Sequence, residues 1–277
     1  MMQINVQVDL FFAAALPGTI AALDYANLLV QTPLGIISNV ILVPFLPIFA
    51  RLADPIHWDE LKQRIRQGLM LTAVTMLPLS AVFITLALPM VRVVYERGAF
   101  DQNASQLVTS VLITYGVGMF VYLGRDVLVR VFYALGDGDT PFRISLFNIG
   151  LNALLDFLLI GRYGAPGLVL ATVGVNLVSM VALLILLSRK INGLPWLDWA
   201  RPFVLLLLSS GLSGIAAWAS RLGLETWLGT EGFLQNLIVL CGAGAVSLSV
   251  FGMATLALGI PEARMLIEQL KAKFLRR

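Results

Sequence analysis

The stretch "FNIGLNALLDFLLIG", residues 147–161, has the length and composition of a membrane-spanning helix that carries three polar side chains. Asn148, Asn152 and Asp156 follow one another at intervals of four residues, so one face of a helix carries all three. An ionisable group inside a membrane costs a few kcal/mol or more, about 2.5–3.5 on insertion scales. The stretch therefore predicts a membrane helix whose polar face has a partner or a function.

The composition of the whole chain extends this prediction. Of the 277 residues, 58% are hydrophobic and 13% are charged, and the mean hydropathy is +0.88. A soluble domain carries about 25% charged residues. The fold class indicated is an all-α integral membrane protein.

The reactive side chains are few. One cysteine, Cys241, and one histidine, His57, are present, which argues against a disulfide framework, the usual zinc sites and a hydrolase with a nucleophile–base pair. The segments 54–68 and 261–277 are amphipathic and basic. We interpret them as helices at the membrane surface, the first with Trp58 and Leu61 toward the membrane, and not as nucleic-acid sites.

About eight spans are predicted, since a span needs roughly 17–25 apolar residues. The first, about 4–16, is too short to cross alone and carries polar Gln3, Asn5 and Gln7; we expect it to be the second half of a longer helix. No cleavable signal peptide is visible. The other seven are about 20–50, 67–94, 106–135, 141–160, 166–188, 202–220 and 233–259, with kinks expected at Pro33, Pro44, Pro47, Pro78 and Pro89.

Basic residues divide unequally between the two sides that this alternation defines. Fourteen fall on the side of the 51–66 loop, the 130–143 turn, the 189–201 loop and the tail, and four fall on the other side. The positive-inside rule therefore predicts that both termini are cytoplasmic. At the turn "ALGDGDTP", residues 134–141, Gly136 and Gly138 are expected to supply positive φ angles.

Several stretches together are similar to the C-terminal half of the MurJ-type (MviN) lipid II flippases, which belong to the multidrug/oligosaccharidyl-lipid/polysaccharide exporter superfamily. They are "YANLLVQTPLGI" (25–36), "VPFLPIFARLA" (43–53), "VYERGAF" (94–100), "VFYALGDGDTPFRI" (131–144) and "GAPGLVLATVGVNL" (164–177). The resemblance implies a lobe equivalent to spans seven to fourteen of a fourteen-span inner-membrane protein. It also implies core helices over 1–188, then two further spans and a cytoplasmic basic tail over 189–277.

One motif departs from the family pattern. Where the family typically has Tyr-Ala-Asp-Arg-Leu, this chain has Tyr-Ala-Asn-Leu-Leu, residues 25–29. Asp24, Asn27 and Gln31 form a polar i, i+3, i+7 face that fits a substrate cavity. That face lacks the cation that would bind a diphosphate.

The polar residues of the opening stretch have counterparts at the same depth in other spans. Asp156, Thr172 and Asp9 each lie about 7–11 Å below the predicted outer surface. Asn152 lies one turn deeper, and a backbone carbonyl near Leu168 completes an all-oxygen set that suits a hard cation. The family resemblance implies Na⁺ between the seventh, eleventh and twelfth spans. The alternative is a proton-sharing pair of carboxyl groups or helix–helix hydrogen bonds.

A second charged group occurs in "GRDVLVR", residues 124–130. Asp126 and Arg130 are four residues apart near the predicted cytoplasmic end of a span, and Arg125 lies within the span. They fit either a local ion pair with Arg130 reaching the interface or a charge pair lining the substrate cavity.

The function expected is that of a half-length flippase-like transporter, not an enzyme, for a lipid-linked sugar diphosphate such as lipid II. It would be ion-coupled and would need a separately encoded N-lobe, a second copy of itself or the rest of a longer protein. The alternative is a non-transporting membrane scaffold or degenerate flippase remnant that keeps the fold. An enzyme of lipid-linked sugars is a weaker alternative, because no cytoplasmic loop has acidic residues at catalytic spacing.

Overall fold

The chain folds as a bundle of α-helices in the computed structural model, which describes residues 2–14, 16–98, 100–230 and 232–260, with side chains from Val8 onward. Ten α-helices and no strand are present in those residues. Their bounds are α1 Met2–Ala13, α2 Thr19–Ile37, α3 Val43–Arg51, α4 Trp58–Thr85, α5 Ala87–Tyr95, α6 Gln102–Ala134, α7 Asp139–Tyr163, α8 Ala165–Lys190, α9 Trp196–Leu228 and α10 Phe233–Ala257.

Seven helical stretches of the described chain are long and apolar enough to cross a membrane. They correspond to the seven full spans predicted from the sequence. The helix α1, with 12 residues, is too short for this, as expected. Between α2 and α3 the chain makes a π-helical turn, Ser38–Leu42, directly before Pro44 and Pro47. Proline lacks the N–H that a regular α-helix needs. The α-helical hydrogen-bond pattern is therefore interrupted just before the two prolines.

Two predicted boundaries were wrong. The predicted surface helix over 54–68 is not separate, because α4 begins at Trp58 and continues into the span. Its Leu61 and Ile65 are fully buried in the protein core and do not face a membrane. The predicted span 67–94 is interrupted at Leu86, between α4 and α5. The tail 261–277 lies outside the described residues.

The helices pack in an order that places α4, α6 and α8 side by side. The helix α7 packs on α8, α1 crosses α7 and α8, and α2 packs on α6. On the other side, α9 packs on α4, and α10 packs on α9 and α5. The loops fall into two sets, which we call the Gly164 end (residues 96–98, 100–101, 163–165, 229–230 and 232) and the Gly136 end (residues 52–57, 135–138 and 191–195).

The turn between α6 and α7 is fixed by side chains at the Gly136 end. Gly136 has φ of +71°, as predicted, whereas Gly138 is in the right-handed region at φ −76°, so the prediction of a positive φ there was wrong. Asp137 accepts hydrogen bonds from the Thr140 backbone N–H at 3.0 Å and from the Thr140 hydroxyl at 2.9 Å. Lys190 Nζ lies 2.6 Å from Asp137 Oδ2, which ties the end of α8 to this turn.

Candidate functional site

Four polar side chains from three helices meet inside the bundle, toward the Gly164 end. Asn152 Nδ2 donates to Asp9 Oδ1 at 2.6 Å and to Asp156 Oδ2 at 3.0 Å. Thr172 Oγ1 lies 3.2 Å from Asp9 Oδ2 and 3.2 Å from the Leu168 carbonyl oxygen. Asn152 and Asp156 are both 0% exposed. The five residues predicted as cation ligands therefore form one connected cluster, which we call the α1/α7/α8 cluster.

The alignment of α7 with α8 follows from two glycines. Gly164 links the helices with φ of +61°, a conformation that side chains rarely adopt. Gly167, in the first turn of α8, faces the backbone of α7: a Cβ atom on it would lie 2.6 Å from the Leu159 carbonyl oxygen. This close approach brings Thr172 to the level of Asp156.

The cluster contains buried oxygens without hydrogen-bond partners among the described residues. They are Asn152 Oδ1 and Asp156 Oδ1, and one turn further along α7 also Asn148 Oδ1. A buried polar atom without a partner costs about 1–3 kcal/mol. Two carboxylates, an amide oxygen, a hydroxyl and a backbone carbonyl are the ligand types that hard cations take. The residues present therefore fit a small hard cation.

A second polar layer lies next to the cluster. Asn148 Nδ2 donates to Ser179 Oγ, and both residues are buried. Asn176 Nδ2 donates to the Thr172 carbonyl oxygen at 2.7 Å. The sequence analysis missed Ser179 and Asn176, although Thr172, Asn176 and Ser179 follow the i, i+4, i+7 pattern of one helix face.

The predicted cavity face on α2 is open. Asp24 and Gln31 are exposed, and Asn27 is half-buried. No lysine or arginine occurs in α2. The face is acidic and amide-rich, as the sequence indicates.

The charged group on α6 has a different pairing from the one predicted. Asp126 Oδ1 lies 4.0 Å from Arg125 Nη1, and no ion pair joins it to Arg130. The Arg125 side chain is mostly buried, and its Nε has no hydrogen-bond partner among the described residues. The helices α2 and α6 both run from the Gly164 end, and at 1.5 Å per residue Arg125 lies about 17 Å further along the bundle than Gln31. The α2 and α6 groups therefore lie at different depths of the bundle.

These features define a class: an all-α, multi-pass membrane protein with a buried all-oxygen cluster where three helices meet. The comparisons with known proteins then give the family. The family model described as "Lipid II flippase MurJ" matches residues 1–238. The chain belongs to the MurJ family, and it is a multi-pass protein of the inner membrane.

Two curated relatives illustrate the match. The chain is 49% identical over 276 residues to the probable lipid II flippase MurJ of Synechocystis sp., a match that covers 100% of this chain and 52% of the relative. It is 29% identical to the probable lipid II flippase MurJ of Rhizobium tropici, covering 98% of this chain and 51% of the relative. The chain thus spans about half the length of the curated relatives that it matches.

Solved structures agree on the fold. A structure of lipid II flippase MurJ in an inward closed conformation has a TM-score of 0.74 at 22% identity, covering 92% of this chain and 51% of that chain. A MOP superfamily transporter from Pyrococcus furiosus has a TM-score of 0.60 at 15% identity, covering 92% of this chain and 61% of that chain.

Proposed function

We propose that this chain forms one lobe of an ion-coupled flippase for lipid II, a polyprenyl-diphosphate-linked peptidoglycan precursor. The observation that carries the proposal is the α1/α7/α8 cluster, in a chain of the MurJ family. Asp9, Asn152, Asp156, Thr172 and the Leu168 carbonyl would hold one Na⁺. When bound, Na⁺ would supply the positive charge that lets both carboxylates stay ionised side by side.

The cluster is placed where it can link the arrangement of helices to ion binding. Asp9 comes from α1, whereas its partners come from α7 and α8. A conformation that separates α1 from α7 would lose the Asp9–Asn152 contact and with it the ligand set. Such a site biases the conformational equilibrium only because it binds the ion with different affinity in the two states.

Transport also needs a second wall for the cavity. Transporters of this kind move substrate at an interface between two repeats or lobes, and this chain spans about half of its relatives' length. The other lobe would come from a separately encoded N-lobe, a second copy of this chain or the rest of a longer protein. In this arrangement both termini of the chain face the cytoplasm.

The ion site is tested by thermal melting of the purified chain in detergent. A cation that binds only the folded state stabilises it by roughly 1–3 kcal/mol at ten to a hundred times its Kd. The melting temperature is expected to rise more with NaCl than with choline chloride at equal ionic strength. Asp156→Asn should abolish that difference, and Asn148→Ala, one turn away, should leave most of it. Identical melting curves in the two salts would show that the cluster binds no Na⁺ and serves only to join the helices by hydrogen bonds.

The transport activity is tested by lipid II translocation in proteoliposomes. The chain alone is expected to be inactive, and addition of an N-lobe is expected to restore translocation. A second candidate function, a non-transporting membrane scaffold, is favoured by the absence of a basic residue in α2. Inactivity with the N-lobe present, in a protein that still responds to NaCl, would support the scaffold. Robust translocation by the monomeric chain would contradict the two-lobe proposal.

A further inference from the structure

The contact between Asn148 and Ser179 forms a polar layer one helical turn from the α1/α7/α8 cluster, on the side of the Gly136 end. Asn148 is 3% exposed and Ser179 is 0% exposed. Asn148 Nδ2 donates to Ser179 Oγ, whereas Asn148 Oδ1 is buried and has no hydrogen-bond partner among the described residues. A buried amide oxygen of this kind needs a hydrogen-bond donor or a cation. The layer therefore presents an acceptor that the contacts of the cluster do not explain.

The geometry of α7 and α8 brings further oxygens to the same place. The two helices are antiparallel, and the contact between Asn148 and Ser179 sets their relative level. At 1.5 Å per residue, Asn176 lies about 4.5 Å and Asn152 about 6 Å from this contact toward the cluster. Asn152 Oδ1 is buried without a partner among the described residues, and Asn176 uses its amide nitrogen to bond the Thr172 carbonyl oxygen. Three amide oxygens and one hydroxyl thus lie within about one turn of each other at the α7/α8 interface.

The charge of the neighbouring cluster favours a cation in this layer. When Asp9 and Asp156 are both ionised they carry two negative charges, and one bound Na⁺ neutralises only one of them. No lysine or arginine of the described residues lies within 4.0 Å of either carboxylate. A net charge inside a membrane protein is costly. A water molecule would satisfy Asn148 Oδ1 but would leave that charge, whereas a second monovalent cation about one helical turn away would balance it.

We propose that the side-chain oxygens of Asn148, Asn152, Asn176 and Ser179 form a second cation site, which binds one Na⁺ beside the ion of the α1/α7/α8 cluster. This rests on the proposed function, because the negative charge left at the first site holds the second ion. Amide and hydroxyl oxygens are ligands of the type that hard cations take. They carry no charge, so the second site is the weaker of the two. Asn152 lies between the two layers and connects the sites.

The proposal is tested by counting ions through thermal melting of the full chain in detergent, with NaCl exchanged stepwise for choline chloride at constant ionic strength. Above its Kd, each site adds an equal increment to the slope of stability against the logarithm of the Na⁺ concentration. The slope of the wild type should therefore increase about twofold at higher NaCl, where the second site fills. Asn148→Ala and Ser179→Ala should keep the first slope and lose this increase. Asn148→Asp adds a carboxylate to the layer and should shift the increase to lower NaCl, a gain that a folding defect does not produce.

Controls separate the second site from packing effects and from the first site. Ser247→Ala on α10 should keep the increase, since Ser247 is also 0% exposed with a hydroxyl that lacks a partner among the described residues. A wild-type slope of one ion at all NaCl concentrations, still abolished by Asp156→Asn, would overturn the second site and leave the first. An increase that persists in Asn148→Ala and Ser179→Ala, or that is lost equally in Ser247→Ala, would also overturn it. A wild type that does not respond to NaCl would contradict the proposed ion coupling itself, and the second site with it.

Discussion

Gly167 sets the distance between the two helices that carry most of the candidate ion site. A methyl group there would lie 2.6 Å from the Leu159 carbonyl oxygen and 2.8 Å from the carbonyl carbon. Backbone atoms in the middle of a helix have little room to move, so the helices themselves would have to separate. Thr172, which contacts Asp9 at 3.2 Å, would then move away from Asn152 and Asp156 on α7.

Gly167→Ala is accordingly expected to destabilise the chain by about 1–3 kcal/mol, the usual cost of overpacking. In this variant, NaCl is also expected to raise the melting temperature over that in choline chloride by less than it does in the wild type. Gly161→Ala is the control, since no atom lies within 4 Å of its Cβ position in α7. Alanine favours helix over glycine by about 0.8–1.0 kcal/mol, so this control should be neutral or slightly stabilising. Equal melting temperatures for the two variants would contradict the close-packing argument.

The residue pattern predicted part of the site and missed another part for a physical reason. Asn152 and Asp156 stand out because polar groups are costly within an apolar run, and the matching depth of Asp9 and Thr172 in their own spans identified them as partners. Ser179 does not stand out, since a serine in a membrane helix usually bonds its own backbone. Its contact with Asn148 depends on the helix separation that Gly167 allows, which no local pattern reveals.

At the scale of the element, the break between α4 and α5 shows a similar limit. Pro89 lacks the N–H that would bond the Thr85 carbonyl oxygen, so the sequence predicts a kink. The sequence does not show what satisfies that oxygen. In the structure Arg221 Nη1 donates to it at 3.0 Å, and Arg221 Nε donates to Glu225 Oε1 at 2.7 Å. The partner is 136 residues away along the chain and comes from α9.

Arg221→Met should therefore destabilise the chain by about 1–3 kcal/mol, because the Thr85 carbonyl and the Glu225 carboxylate both lose their donor. Arg162, exposed at the end of α7, provides the control: Arg162→Met should stay within about 0.5 kcal/mol of the wild type. Thermal melting in detergent measures both. The double variant Arg221→Met with Glu225→Gln separates the two contributions, and full recovery in it would show that the Thr85 contact contributes nothing.

The turn between α6 and α7 should respond to pH. Burial opposes ionisation of Asp137, but the hydrogen bonds from Lys190 and Thr140 outweigh it and lower the pKa of Asp137 below its ordinary value of 3.8. The folded state therefore binds this proton less readily than the unfolded state. The stabilisation is fully present above the ordinary pKa and is lost as the pH falls through the lowered one.

Asp137→Asn is thus expected to lower the melting temperature by a constant amount from neutral pH down to about pH 5, and by less below about pH 4. Melting curves of the wild type and the variant over that range test it. Asp139→Asn, in the first turn of the same helix and exposed, is the control for a general acid effect. A difference that grows as the pH falls would have the wrong sign and would contradict the assignment.

For the whole molecule, composition alone predicts a multi-pass helical membrane protein. The seven full spans were predicted because length and hydropathy are properties of the segment itself. The start of α4 was not predicted, since Leu61 and Ile65 give an amphipathic pattern that fits either a membrane surface or the core of a bundle. In the structure both residues are buried against neighbouring helices, and only these tertiary contacts distinguish the two possibilities. The packing of α9 and α10 likewise depends on contacts such as Arg221–Thr85.

The orientation of the bundle is a property of the whole molecule that its charge distribution predicts. With 14 basic residues on one side and four on the other, the Gly136 end should face the cytoplasm and the Gly164 end should face outward. Single cysteines in a Cys241→Ser background test this, since Cys241 is the chain's one cysteine and is exposed. Asn103→Cys, at the Gly164 end, should react with an impermeant maleimide in intact spheroplasts, and Glu60→Cys, at the Gly136 end, should react only after permeabilisation. Both positions are exposed, so accessibility within the protein does not separate them. Labelling of position 60 before permeabilisation would invert the topology and with it the side from which the proposed ion sites are reached.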